Sequence, residues 1–167
     1  MHISIHTGDI ADAPAEAVCT STNPRLSLVM GTGAAIRERG GFEVLQECQA
    51  LRGQRELPAG SAHVTSAGRL PFRAAIHCVA CDRTHQSSPA IVASCVRSAL
   101  ARADELGVRS VAMPLFGTGH ARVKFDRSLE AILGALRAAA TNVEQVVIVV
   151  NDPDRAGQVT AAVASSF

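Results

Sequence analysis

An α/β domain, one sheet covered by helices on both faces, is the fold class this sequence predicts, and three observations predict it. After a strand-rich start, apolar runs of strand length alternate with longer stretches whose apolar residues recur at helical spacing. One of the runs, Gln145 to Val150, contains only Val and Ile after its first residue, the pattern of a strand buried on both faces. A hydrophobic content of 47% over 167 residues, with mean hydropathy +0.18, is enough for a sizeable core. No repeat, linker or low-complexity tract interrupts the chain, so residues 1–167 are expected to form a single domain.

The elements follow in order. Residues 2–7 alternate apolar and polar, a half-buried strand closed by Gly8-Asp9, where Asp9 suits a turn or helix cap. Residues 16–20 make the second strand. A loop rich in turn formers leads to a helix over about 32–39, and Gly40-Gly41 separates it from another over about 42–51. Residues 61–67 and 72–80 read as strands; His77 in the second is expected to be a hydrogen-bonded core histidine. Ser88 as cap and Pro89 in the first turn start a long helix that Gly107 stops. Residues 109–115 form a central strand, 125–140 an amphipathic helix through Leu129, Ile132, Leu133 and Leu136, 145–150 the last strand, and 153–164 the last helix.

Composition excludes several classes. A formal charge of +1 provides no basic face for duplex nucleic acid, and a chain with no Trp, no Tyr and five Phe has little with which to stack bases. No apolar run approaches the ~20 residues of a membrane span, and the N-terminus lacks the pattern of a signal peptide. The five cysteines, an odd number inside mostly apolar runs, read as reduced core thiols of a cytoplasmic protein, the Cys78/Cys81 pair included. No His/Cys/Asp cluster has ligand spacing, so no metal and no cofactor is expected.

The chemistry collects at strand ends. Val18 to Gly41 passes from strand through Thr20-Ser21-Thr22-Asn23-Pro24 to Gly31-Thr32-Gly33-Ala34 and a helix start. There, free N–H groups and the helix dipole favour an anion, and glycine lets a phosphate approach the backbone. The stretch has neither the P-loop signature nor the GxGxxG of a dinucleotide fold. A second small loop, Phe116-Gly117-Thr118-Gly119-His120, ends the 109–115 strand, and Asn151-Asp152 ends the last. Ligands of open α/β sheets bind outside the carboxyl ends of the strands, and two Gly/Thr loops there suit a diphosphate.

With these motifs in place, the chain resembles a macrodomain, the ADP-ribose-binding module, from Ile5 to about Asp152. The similarity is carried by Gly8-Asp9-Ile10, the Ser21 to Leu26 stretch STNPRL, the Met30 to Ile36 stretch MGTGAAI, the Leu57 to Ala62 stretch LPAGSA, Ala75-Ile76-His77 and the Met113 to Gly119 stretch MPLFGTG. It implies a three-layer α/β/α fold with a central mixed β-sheet. It further implies that Asp9 holds the adenine amine, with Ile10 contributing backbone. Asn23, beside Thr22, would bond the distal ribose. Gly31, Thr32, Gly33 and Ala34 would wrap the phosphates from one side, and Gly117, Thr118, Gly119, His120 and Ala121 from the other. Asn151 stands where many relatives place an aromatic beside the adenine.

Other positions depart from hydrolytic relatives. Thr20 replaces the first Asn of their NAAN, Gly33 stands ten residues after Asn23 where one class has an Asp, and Ala121 replaces the catalytic Asp of another. The resemblance therefore implies two activities to be told apart. One is hydrolysis of mono-ADP-ribose from protein side chains, Glu/Asp esters first, by substrate-assisted water attack with Asn23, Gly33 and His120 in the catalytic set. Histidine qualifies because imidazole ordinarily titrates near neutrality. The alternative is a non-catalytic reader of ADP-ribose. The expected partners are ADP-ribose and mono-ADP-ribosylated proteins. An NAD-dependent dehydrogenase is disfavoured by the missing GxGxxG and the absence of length for a substrate domain.

Overall fold

The structure, a computed structural model, describes residues 1–167. Six strands, β1 (His2–Thr7), β2 (Ala17–Thr22), β3 (Ala62–Thr65), β4 (Ala74–Val79), β5 (Ser110–Pro114) and β6 (Gln145–Val150), form one sheet in the order β1-β6-β5-β2-β4-β3. All neighbours are parallel except β3, which runs antiparallel to β4 at one edge, so the sheet is mixed. Five helices cover it: α1 (Gly31–Gly40), α2 (Phe42–Arg52), α3 (Pro89–Leu106), α4 (Phe125–Arg137) and α5 (Pro153–Ser166). This is the expected α/β/α sandwich. No helix is long and apolar enough to cross a membrane.

Strand alternation divides the core in two. Ala17 and Cys19, Ile76 and Cys78, Val111 and Met113, and Val146, Ile148 and Val150 face α3, α4 and α5, where Val96, Ile132 and Leu136 meet them. Val18, Ala75, Val79, Ala112, Val147 and Val149 face the other way, onto Ile36 of α1 and Val44 and Cys48 of α2. Each fully buried side chain of this size contributes about 1.5–3 kcal/mol.

His77 is buried among them, bonded at both ring nitrogens. The Thr65 hydroxyl donates to the Ser66 carbonyl at 2.7 Å, so it accepts from His77 Nε2–H at 2.8 Å; Nδ1 then accepts from the Thr20 hydroxyl at 2.9 Å. Burial pulls the imidazole down from 6.5 to about 4. All five cysteines are free and buried, and burial pushes the Cys48 and Cys95 thiols up to about 12 and raises Cys78 and Cys81 as well.

The differences from the sequence reading lie at element ends. The second strand runs to Thr22 rather than stopping at Thr20, because Thr20, Ser21 and Thr22 pair with His77, Cys78 and Val79 of β4; β-branched threonine fits a pleated surface as well as it fits a turn. The strand read over 61–67 is only Ala62–Thr65: Glu47 of α2 takes the Ser66 N–H at 2.7 Å and the Ser66 hydroxyl, pulling the chain off the ladder. The helix read to Ala140 ends at Arg137, and Asp104 captures Thr141 and Asn142 just beyond. A short 3-10 helix, Ile10–Asp12, was not foreseen; Asp9 caps it, its Oδ1 accepting from Ala11 N at 2.9 Å.

Candidate functional site

The chain leaves β2 toward the α1 layer and leaves β5 toward the α4 layer, on opposite faces of the sheet. Because β2 and β5 are neighbours, a crevice opens between them at their carboxyl ends, the topological switch point. A cleft of about 380 Å³ lies there. Five segments line it: Ser21 to Asn23 after β2; Ser27 to Thr32 before and into α1; Ala80, Cys81 and His85 after β4; Pro114 to Ala121, Phe116 excepted, after β5; and Val149, Val150, Asn151 and Arg155 at the end of β6 and start of α5. None of these residues is an Asp or Glu.

The first anion-seeking feature is the start of α1. Met30 occupies the cap position and offers no side-chain acceptor, and the first N–H to find a partner within the chain is that of Ala34, on the Met30 carbonyl at 3.2 Å. The N–H groups of Gly31 and Thr32, two residues that line the cleft, have no partner in the chain and stand at the positive end of the helix dipole. Gly31 has φ +56 and open space where a Cβ would be. Thr32 ties this turn to the sheet, its hydroxyl oxygen accepting from Ser21 N at 3.0 Å.

The facing loop is tightly built. Gly117 has φ +74, and a Cβ there would meet Ser87 Oγ at 3.0 Å and Val123 Cγ2 at 3.1 Å, so any other residue would be both strained and crowded. The Thr118 hydroxyl donates to the Leu115 carbonyl at 2.9 Å and Val123 N to the Gly117 carbonyl at 2.9 Å, closing the turn. His120 is exposed, lines the cleft and makes no hydrogen bond within the chain.

The sequence-predicted residues thus divide. Thr22, Asn23, Gly31, Thr32, Gly117, Thr118, Gly119, His120, Ala121 and Asn151 line one cleft. Asn23 is already engaged with its own loop: Nδ2 donates to Ser27 Oγ at 2.6 Å and Oδ1 accepts from Arg25 N at 3.0 Å. Gly33 and Ala34 do not line the cleft. Gly33 is buried, and a Cβ there would meet Leu28 Cα at 3.2 Å, so this glycine makes room for the chain's own Leu28. Asp9 and Ile10 also lie outside the lining. Ile10 is core, and Asp9 caps its 3-10 helix and meets Arg39 at 3.5 Å, although Gly8 N bonds the Val150 carbonyl and holds this segment beside the cleft's end.

Two basic residues escaped the sequence reading. Arg155, in the first turn of α5, lies over the Phe125 ring at 5.1 Å and meets Asp152 at 3.7 Å. His85 sits in the loop after β4. Counting the end of β4 among the strand ends, alongside those of β2, β5 and β6, would have found it.

A larger hollow, about 720 Å³, lies between α3 and α4, away from every strand end. Half of its lining residues are alanine, and three of its four charged groups are engaged: Arg127 with Glu130 at 3.2 Å, Asp104 with Thr141 and Asn142. The strand-end cleft, with its unsatisfied donors, is the better ligand site. No group of His, Cys, Asp and Glu side chains in the structure could hold a metal ion.

The comparisons agree with this architecture. A family model described as Macro domain matches residues 19–132. A Macro domain-containing protein of Streptomyces nogalater is 37% identical over 155 residues, covering 90% of this chain and 85% of its own length. Another from Streptomyces coelicolor is 36% identical, covering 90% and 91%. Among solved structures, a mutant Oceanobacillus iheyensis macrodomain with ADPR superimposes with TM-score 0.87 at 24% identity, covering 96% of this chain and 91% of that one. A Trypanosoma brucei macrodomain in complex with ADP-ribose gives 0.86 at 22%, covering 97% and 69%.

Proposed function

Since this chain belongs to the Macro domain family, we propose that it binds ADP-ribose in the strand-end cleft and removes mono-ADP-ribose from protein side chains, Glu and Asp esters foremost. One observation carries the binding half: the uncapped start of α1 and the Gly117–His120 loop face each other across a cleft without a carboxylate. A diphosphate between them would take the free N–H groups of both loops. Neighbouring structures crystallised with ADP-ribose support the same ligand.

In this reading the adenine lies at the β6 end, near Asn151 and Arg155, with Asp9 beside it, and the distal ribose reaches Asn23. A water attacks the anomeric carbon, the bond from that carbon to the ester oxygen breaks, and the protein carboxylate leaves with the electron pair. The water's proton passes to a phosphate oxygen of the ligand, since no protein carboxylate is at hand. His120, exposed and unpartnered at the cleft, is placed to exchange that proton with solvent.

The reader alternative is favoured by two specific observations. No Asp or Glu lines the cleft, and the Asn23 amide is committed to its own turn. The test is to incubate the protein with a substrate mono-ADP-ribosylated on Glu or Asp and to assay released ADP-ribose, with Asn23→Ala as control. Release that disappears in the control supports the hydrolase. No release, together with ADP-ribose binding on the order of micromolar, supports the reader. Calorimetry showing no ADP-ribose binding, or NAD preferred to it, overturns both.

A further inference from the structure

The cleft has a wall with no part in the reading above, the loop from Ala80 to Ser88 between β4 and α3. We propose that this loop, through His85 and Arg83, is the contact surface for the acceptor protein of an ADP-ribose conjugate, and that it favours acceptors with acidic residues beside the modified side chain. The inference rests on the ADP-ribose reading and extends it to what lies beyond the sugar.

Position is the first argument. From β6 to β4 the sheet order counts three inter-strand steps, roughly 14 Å. A ligand with its base at the β6 end brings its far ribose to the end of β2. Ala80 N donates to the Thr22 carbonyl at 2.9 Å, so the loop departs directly beside Asn23. A chain attached to that ribose leaves the cleft past Cys81 and His85, which line it there.

Construction is the second. Asp82 Oδ1 accepts from Thr84 N at 2.8 Å, the Thr84 hydroxyl at 2.7 Å and Gln86 N at 3.0 Å, so its charge is spent inside the turn. Those bonds, the Thr84 hydroxyl first, hold the carboxyl below its usual range. The same turn holds His85 at φ +59, a conformation non-glycine residues rarely adopt. The imidazole has no hydrogen-bond partner in the chain. At its other end the loop is seated by Ser87 against Gly117, so it is part of the cleft's frame.

Charge is the third. Residues 83–88 and 117–125 carry Arg83, His85, His120, Arg122 and Lys124 and no carboxylate. None of the five is in an ion pair, whereas Arg25, Arg39, Arg73 and Arg109 each have an acidic partner. Arg83 is exposed and does not line the cleft, so it is free to meet a group outside it.

The test uses the whole chain and three probes: free ADP-ribose, and two peptides bearing mono-ADP-ribose through a non-hydrolysable linkage, one with acidic and one with neutral flanks. Affinities are read by calorimetry. Wild type should bind the acidic conjugate about tenfold more tightly than the neutral one. Arg83→Glu should abolish that preference while free ADP-ribose binding stays within about twofold, and His85→Ala should lower the ratio of conjugate to free affinity by about threefold or more. Equal affinity of wild type for both peptides overturns the proposal, as does a loss in Arg83→Glu that is the same for all three probes. Wild type failing to bind free ADP-ribose overturns the ADP-ribose reading, and this inference with it.

Discussion

The two ends of the sheet are built on opposite terms. At the amino ends of the parallel strands, polar groups satisfy one another. The Glu16 carboxylate accepts from Ser110 N at 3.3 Å and from Arg109 N and meets Arg73 at 3.7 Å, while Glu16 N donates to Ser110 Oγ at 2.9 Å and Arg109 pairs with Glu144 at 3.0 Å. At the carboxyl ends, the first N–H groups of α1, the ring of His85 and the ring of His120 have no partner in the chain. What separates the two ends is whether the chain has answered its own donors, and the unanswered end is where a ligand can contribute binding energy.

The comparison breaks most sharply at Gly117. Replacing it by Val forces a branched side chain into a left-handed backbone and against Ser87 and Val123, which displaces the loop facing α1. ADP-ribose affinity measured by calorimetry should fall about a thousandfold, some 4 kcal/mol. Retained affinity would mean that the two loops do not act together.

A smaller effect comes from the His77 tie between Thr20 and Thr65, which braces the sheet just before the cleft. Its folded-state value of about 4 lies below the ordinary 6.5, so the unfolded chain binds the proton more readily. The neutral ring's contribution is complete above pH 6.5 and is lost as pH falls from there through 4, in total about 3 kcal/mol. Urea unfolding of wild type and His77→Gln across that range should show the wild type's curve falling and the variant's curve flatter. Parallel curves would place the acid sensitivity elsewhere.

The smallest expected effect is at the self-satisfied end. Glu16→Gln weakens three contacts to charged or backbone donors and should lower the melting temperature while leaving ADP-ribose affinity unchanged. The Arg109 backbone bond first, with Ser110 and Arg73, holds the Glu16 carboxyl below its ordinary value. Its contribution is therefore present above that ordinary value and fades as pH falls through the depressed one. A thermal melt at pH 7 and at acid pH, with the wild type–variant gap closing in acid, checks it.

Much of this was legible beforehand because it was written in local chemistry. Ser88-Pro89 and Gly107 mark the two ends of α3 without help from the rest of the molecule, and the valine run marks β6. The meeting of Gly31-Thr32 with Gly117 to His120 followed from the rule about strand ends. What could not be read was decided by partners distant in sequence. Ser21 and Thr22 join a strand because β4 lies beside them, Gly33 is required by Leu28 coming beneath it, and Ser66 leaves its strand because Glu47 reaches it. His85 was overlooked for a simpler reason, that the end of β4 was not counted among the strand ends, and Arg155 because only the first turn of α5 brings it back over the cleft.

One consequence of the strand order concerns assembly in time. β1 has a single neighbour in the sheet, β6, and His2 is matched to Gln145 and Thr7 to Val150 across almost the whole chain. During synthesis the first strand therefore emerges long before its partner exists, and the layer of α5 that packs against it arrives later still. Closing so long a loop is slow relative to making local contacts, so the β1–β6 seam should be the last part of the sheet to form.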